Sequence, residues 1–320
     1  MNSIVYKQID EQIRKAQSVL LLTDERIDGD TIGATLGMYH VLMAMEKKVT
    51  AFSPLDIPKT FSFLSGIDKV VHDEAIFEDS DFDLVMIFDC ADGVYIKNLL
   101  PKLKRKIPLV VFDHHITNPK YGFINLIESD TASASGVVWK FVKAMKYPIS
   151  RDAAQCILTG ICTDTDMFLT TSTNAACLDA AHELSRHGAR LQEIVRETMM
   201  KKSIPALKLW GLAFERLHHN DEFDAVATAI TVKDMQDLGA RQEDLSGLIN
   251  FINSMIDGAD TVLVYYEKDD GSVKGSLRSH TVNVAELAQK YDGGGHIRAA
   301  GFSIQNAHLE EKDSKWFVVH

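Results

Sequence analysis

Apolar residues along the first half of the chain follow two alternating rhythms. Continuous apolar runs of strand length occupy 19–22, 84–88 and 108–112, with a further strand pattern at 48–52. Between and after them, 31–46, 136–145 and 153–162 place apolar residues at helical spacing, and 58–64 reads as a short helix. Continuous apolar strands alternating with amphipathic helices predict a parallel sheet with helices on both faces. In such a sheet, side chains that act on ligands gather beyond the carboxyl ends of the strands. A helix over 173–186, a polar stretch at 187–202 and a bridging helix over 203–216 follow. The rhythm then changes. Strands are predicted at 223–230, 260–267, 272–279 and 301–304, and helices at 244–255 and 284–291. The fold class is therefore α/β: a parallel-sheet domain over 1–185, a helical linker over 186–219 and a smaller α/β domain over 220–320.

Composition narrows the function classes. The 320 residues are 46% hydrophobic and 25% charged, with a formal net charge of −11. An acidic chain is poorly suited to coating long duplex DNA or RNA, where a basic face supplies most of the affinity. It can still take a small anionic substrate if metal ions provide the local positive charge. No apolar run reaches transmembrane length, and residues 1–15 are polar, unlike a signal peptide. The cysteines Cys90, Cys156, Cys162 and Cys177 form no Cys-x-x-Cys pair and read as reduced core residues. A cytoplasmic protein with no membrane partner is expected.

Four polar clusters each close an apolar element of the first domain. Asp28-Gly29-Asp30 lies between a strand and a helix and puts two carboxylates on one tight turn. Asp89 ends the 84–88 run, Asp113-His114-His115 ends the 108–112 run, and Thr163-Asp164-Thr165-Asp166 ends a helix. Taken singly, each reads equally as a helix cap, a turn or surface decoration. Taken together they supply oxygen and imidazole donors without thiolate, a set suited to Mn²⁺, Mg²⁺ or Fe²⁺. Adjacent histidines can divide their work, one on a metal and the other on the substrate, with the aspartate fixing a tautomer. In the second domain, 293–301 carries four glycines with His296 and Arg298. Glycine lets backbone amides approach a phosphate closely. Arg278-Ser279, at the end of the neighbouring hairpin, is placed to join it.

With these motifs in order, the chain resembles the DHH phosphoesterases, and 293–301 resembles the glycine-rich motif of their associated C-terminal domain. The length and domain pairing are most similar to the nanoRNA exonuclease and pAp phosphatase subgroup. The resemblance implies two divalent ions, Mn²⁺ first and Mg²⁺ as an alternative. It implies Asp24, Asp28 and Asp89 as ligands of one ion, and Asp30, Asp89, His114 and Asp164 as ligands of the other. It implies catalytic roles for His115, on the substrate phosphate, and for Asp113 behind it. Arg278, Ser279, Gly294, Gly295, His296 and Arg298 would hold the substrate. The implied activity is hydrolysis of short RNA or DNA oligonucleotides, linear dinucleotides or the 3′-phosphate of pAp. Cyclic dinucleotide hydrolysis and a catalytically weakened nucleotide sensor stay open beside it, and a homodimer is compatible with the resemblance. Two positions depart from the family pattern: Asp24 stands where histidine is usual, and Asp166 where glycine is usual.

Overall fold

The computed structural model describes residues 2–79, 81–256 and 259–320. The chain divides into two units, Met1–Met200 and Lys201–His320.

The first unit is built on five strands: β1 (Ser18–Leu22), β2 (Lys48–Phe52), β3 (Leu84–Phe88), β4 (Leu109–Asp113) and β5 (Ile124–Ile127). They pair in the order β2-β1-β3-β4-β5, all parallel. Both faces are buried, which is why these strands read as unbroken apolar runs rather than alternating ones. Val19, Leu21, Met86, Phe88, Val110 and Phe112 face one core, and Leu20, Leu22, Val85, Ile87 and Val111 face the other. The helices are α1 (Asn2–Lys15), α2 (Gly29–Ala44), α3 (Ile76–Asp79), α4 (Val94–Leu99), α5 (Ala134–Met145), α6 (Arg151–Asp164), α7 (Ala175–Arg186) and α8 (Leu191–Val195). Residues of α1, α2, α5 and α6 fill the first core, and residues of α3 and α4 the second.

Helices α2 and α6 pack closely because small residues face each other. A Cβ on Gly160 would lie 1.9 Å from Ser135 Oγ and 2.8 Å from Asp30 Oδ1. Contact this close admits no side chain. It holds the start of α2, the start of α5 and the end of α6 together beside the sheet.

In the second unit, α9 (Ile204–Glu215), α10 (Val232–Leu238), α11 (Leu248–Met255) and α12 (Val284–Gln289) accompany a six-stranded sheet. Its strands are β6 (His218–Asn220), β7 (Ala225–Ile230), β8 (Thr261–Glu267), β9 (Val273–Ser279), β10 (Gly294–His296) and β11 (Ala299–Ile304), in the order β10-β11-β9-β8-β7-β6. Only β7 and β8 run parallel.

Several elements differ from the sequence reading. The polar start of the chain is α1, whose Tyr6, Ile9 and Ile13 are buried at helical spacing beneath a charged outer face. The polar stretch at 187–202 holds α8 and a π-helical turn, Arg196–Met200. The 58–64 segment makes only a 3₁₀ turn, Lys59–Phe61. The helix expected over 244–255 breaks at Gly247, which takes φ +84° before α11 begins. The strand at 301–304 is not the last: β12 (His308–Lys312) and β13 (Lys315–Val319) follow as a separate hairpin. The charged, mostly exposed residues of β12 hid the hairpin from a reading based on apolar runs.

Candidate metal centre

Parallel register lines up three aspartates. Leu22 pairs with Ile87, so two residues further on each strand Asp24 comes beside Asp89; Phe88 pairs with Phe112, which brings Asp89 beside Asp113. The chain turns sharply at this edge. Asp89 adopts φ +57° while its N–H still donates to Phe112 O at 2.9 Å. Left-handed backbone is tolerable for aspartate but rare outside glycine, and such strain collects at functional sites.

Asp89 is buried. Its Oδ2 accepts from Thr31 Oγ1 at 2.8 Å, whereas its Oδ1 has no hydrogen-bond partner among the described residues. Oδ1 lies 3.5 Å from His114 Nε2 and 3.6 Å from His115 Nδ1, and Asp164 Oδ2 lies 3.6 Å from His114 Nε2. These gaps are too long for good hydrogen bonds. They approach the roughly 3–3.5 Å that separates two donors each about 2.1 Å from a shared ion. Donor atoms of Asp30, His114 and Asp164 lie within 4.8 Å of one another, as do those of Asp89, Asp113, His114 and His115.

Asp30 is held from behind by the amino end of α5. Ala134 N donates to Oδ2 at 2.6 Å and Ser135 N to Oδ1 at 2.8 Å. These two amides begin the helix, where N–H groups have no partner of their own and the dipole favours an anion. Asp28 caps α2, its Oδ1 accepting from Asp30 N and Thr31 N at 2.9 Å each. Asp113 is wholly buried. Its Oδ1 accepts from His114 N at 2.7 Å, His115 N at 3.2 Å and His115 Nδ1 at 2.7 Å, and its Oδ2 accepts from Asn118 Nδ2 at 2.7 Å. The His115 ring therefore has a fixed orientation, with Nδ1 directed back at Asp113.

The electrostatics ask for a cation. Burial, then the negative charge of Asp89, raises the pKa of Asp28. Burial, then Asp89 and Asp164, drives Asp30 well above the ordinary carboxylate value. Burial lifts Asp164 to about 7 despite neighbouring His114. Burial opposes the charge on His114, yet the facing Asp89 carboxylate and the anions Asp30 and Asp164 push it up to about 10. Burial would likewise raise Asp113, but the His115 hydrogen bond and charge hold it below the usual range. Repelling carboxylates around a buried oxygen without a partner are what a divalent ion relieves. The donors are hard, and the nearby Cys90 thiol is pushed up to about 12 by burial, so it stays neutral. The residues fit a divalent metal.

Asp24 stands apart from both donor groups. It is buried and ion-paired to Arg26, Oδ2 to Nε at 3.3 Å. Asp166 begins a run of three left-handed residues, φ +48° at Asp166, +58° at Met167 and +68° at Phe168. That conformation is the physical reason a glycine suits this position.

In the second unit the glycine-rich stretch is a hairpin rather than a loose loop. His296 pairs with Ala299, leaving Ile297 and Arg298 as its tip, and Ala299 pairs in turn with Arg278 of β9. One row of the sheet thus carries Arg278 and His296. The His296 side chain lies outside the described residues. Gly295 has φ +145°, and a Cβ there would lie 2.5 Å from Ala299 O, whereas Gly294 faces open space. Arg278 Nε donates to Asn250 Oδ1 at 2.9 Å, and Arg298 NH1 donates to Val282 O at 3.2 Å. The hydroxyl of Ser279 is fully used within its own turn. It donates to Asp260 O at 2.6 Å and accepts from Thr281 N at 3.2 Å and Val282 N at 2.8 Å. With one proton and two lone pairs so engaged, it shapes the turn.

The DHH family, N-terminal domain, matches residues 18–161, and the DHHA1 domain matches residues 225–315. The chain belongs to the DHH family of phosphoesterases. It is 26% identical to a bifunctional oligoribonuclease and PAP phosphatase, NrnA, of Thermus thermophilus, over 89% of this chain and 83% of that protein. It is 25% identical to the NrnA of Bacillus subtilis, over 90% and 89%. The crystal structure of an exopolyphosphatase-related protein from Bacteroides fragilis shares the fold, with a TM-score of 0.87 and 23% identity over 94% of this chain and 91% of that one.

Sequence reasoning missed Thr31, Asn118, Arg26 and the amides of Ala134 and Ser135. Asn118, an amide five residues beyond Asp113, and Arg26, two residues beyond Asp24, left a local trace. Thr31 and the two amides reach Asp89 and Asp30 through folding alone.

Proposed function

We propose that this protein hydrolyses phosphate esters of very short substrates, oligoribonucleotides of a few residues and pAp, with Mn²⁺ as the preferred ion. The observation that carries the reading is the buried Asp89 Oδ1, without a hydrogen-bond partner among the described residues and facing His114, which also faces Asp30 and Asp164. Asp30, Asp89, His114 and Asp164 would hold the ion, which supplies a Lewis acid for a phosphoryl oxygen. The chain's own residues do the remaining work. Asp113 orients His115 towards a substrate phosphate and favours its protonated form, since the Asp113 hydrogen bond and charge raise the His115 pKa against burial. Thr31 fixes Asp89 from behind. In the second unit, Arg278, Arg298 and the amides at Gly294 and Gly295 recognise a further phosphate or base, while Ser279 maintains the turn. Function as an oligoribonuclease and PAP phosphatase in relatives that match along most of their length supports this reading. Four buried free cysteines support a reducing, cytoplasmic setting. No helix among the described residues is long and apolar enough to cross a membrane.

The test is a substrate series. Purified protein with Mn²⁺ or Mg²⁺ is offered pAp, pApA, longer oligonucleotides and a cyclic dinucleotide. The expected result is mononucleotide or phosphate release that is fastest with the shortest linear substrates. Turnover confined to the cyclic dinucleotide, or none at all, overturns the proposal.

A further inference from the structure

The carboxyl edge of the sheet treats its two ends differently. At one end, two donor groups that share His114, Asp30 with Asp164 and Asp89 with Asp113 and His115, lie beside the Asp89 Oδ1 that has no hydrogen-bond partner among the described residues. At the other, Asp24 reaches the row beside Asp89, yet its buried carboxylate is paired to Arg26 at 3.3 Å. Asp28 spends one oxygen capping α2. The Arg26 side chain is 72% exposed while that of Asp24 is 6% exposed, so the guanidinium covers the carboxylate from the solvent side. Arg26 is tethered through Nε, and neither terminal nitrogen has a hydrogen-bond partner among the described residues. With Nε engaged and its terminal donors uncommitted, an arginine can take a phosphate through two parallel hydrogen bonds.

We propose that Arg26 stands in for a second cation: the site holds one divalent ion, and the Asp24–Arg26 pair supplies the other positive charge to the substrate phosphate. The inference rests on the metal-phosphoesterase reading above and changes its stoichiometry. A carboxylate paired with a guanidinium attracts a metal less than a free one, because the ion would have to displace or repel Arg26. Arg26 also brings to this acidic site a positive charge that persists when the metal leaves. Phosphate recognition is thereby divided between an exchangeable ion and a covalently attached one.

Metal-stripped protein is titrated with Mn²⁺ and followed by electron paramagnetic resonance and by metal analysis after gel filtration. In parallel, binding of inorganic phosphate to metal-free protein is measured by calorimetry. The wild type should hold one equivalent of Mn²⁺ with the six-line signal of an isolated ion. Arg26→Ala should admit a second equivalent and produce a spin-coupled signal, and should weaken phosphate binding roughly 10- to 100-fold. Arg26→Lys should keep one ion and part of the phosphate affinity. Two tightly bound, coupled ions in the wild type, or unchanged phosphate binding in Arg26→Ala, overturn the proposal and leave the phosphoesterase reading intact. No bound ion at all overturns both. Arg26 is exposed, so its replacement leaves the fold in place.

Discussion

Replacing Asp113 by asparagine removes one negative charge and almost no volume. The consequences follow from four accepted hydrogen bonds, three at Oδ1 and one at Oδ2. An amide can keep its oxygen towards His114 N, His115 N and His115 Nδ1, but its NH₂ then faces Asn118 Nδ2, 2.7 Å from the present Oδ2. Two donors then oppose each other. Turning Asn118 over breaks its bonds to Lys120 N at 2.8 Å and Cys90 O at 3.1 Å. Losing charge assistance and leaving one buried mismatch costs about 2–5 kcal/mol. In a unit of this size that lowers Tm by roughly 5–15 °C. The larger effect is on His115. Without the Asp113 anion, burial and the charge of His114 lower the ring's pKa with only Asp89 left to oppose them, so it drops. The sign is clear: a histidine whose folded pKa is raised is stabilising while protonated, and that contribution is lost as pH rises through the folded value. In Asp113→Asn the loss comes at lower pH. NMR titration of the His115 ring should show the downward shift, and kcat on pApA should fall about 100-fold or more with KM within a few fold. An unshifted His115 titration with kcat within threefold of wild type refutes the positioning role.

Three further outcomes follow from the same geometry. Mn²⁺ binding should expel protons, because His114, pushed up to about 10, is charged at neutral pH and Asp164, lifted to about 7, keeps its proton for part of the time there. Affinity should therefore rise by about tenfold or more per pH unit between pH 6 and 8, and calorimetry in buffers of different ionisation enthalpy that finds no proton release contradicts this. Gly160→Ala should cost about 1–3 kcal/mol by overpacking and weaken Mn²⁺ binding, since the new Cβ meets Ser135 Oγ and Asp30 Oδ1 at 1.9 and 2.8 Å; unchanged melting and metal affinity would count against the close α2–α6 contact. In the second unit, burial works against the Asp234 anion, but Arg216 and the Thr231 amide hold its pKa below the usual value. That stability is present above the unfolded pKa and lost as pH falls through the folded one, so Asp234→Asn should flatten the acid limb of the unfolding curve.

The apolar runs of β1, β3 and β4 made the parallel sheet legible, because strands buried on both faces leave no polar alternation. The edge strand β5 was missed, since Ile124–Ile127 is short and only partly buried. The C-terminal hairpin was missed for a related reason, as β12 is mostly exposed and charged. The acidic and histidine clusters were visible as residue types at the ends of apolar elements. Their division of labour was not. That Asp28 spends an oxygen as a helix cap and that Asp24 faces Arg26 depend on the local turn geometry, and that Asp30 sits on the amino end of α5 follows from helix packing. Ser279 illustrates the converse: a motif residue whose hydroxyl the fold uses entirely within its own turn.

The central claim is that Asp89 is the focal ligand of a metal-dependent phosphoesterase. Metal-stripped protein and its Asp89→Asn variant are mixed with pApA while Mn²⁺ is added stepwise, and mononucleotide is followed by chromatography. The account predicts no product before metal, product that saturates with Mn²⁺ in the wild type, and a rate at least about 1,000-fold lower in the variant. Product formed without metal, or a variant as fast as the wild type, contradicts it.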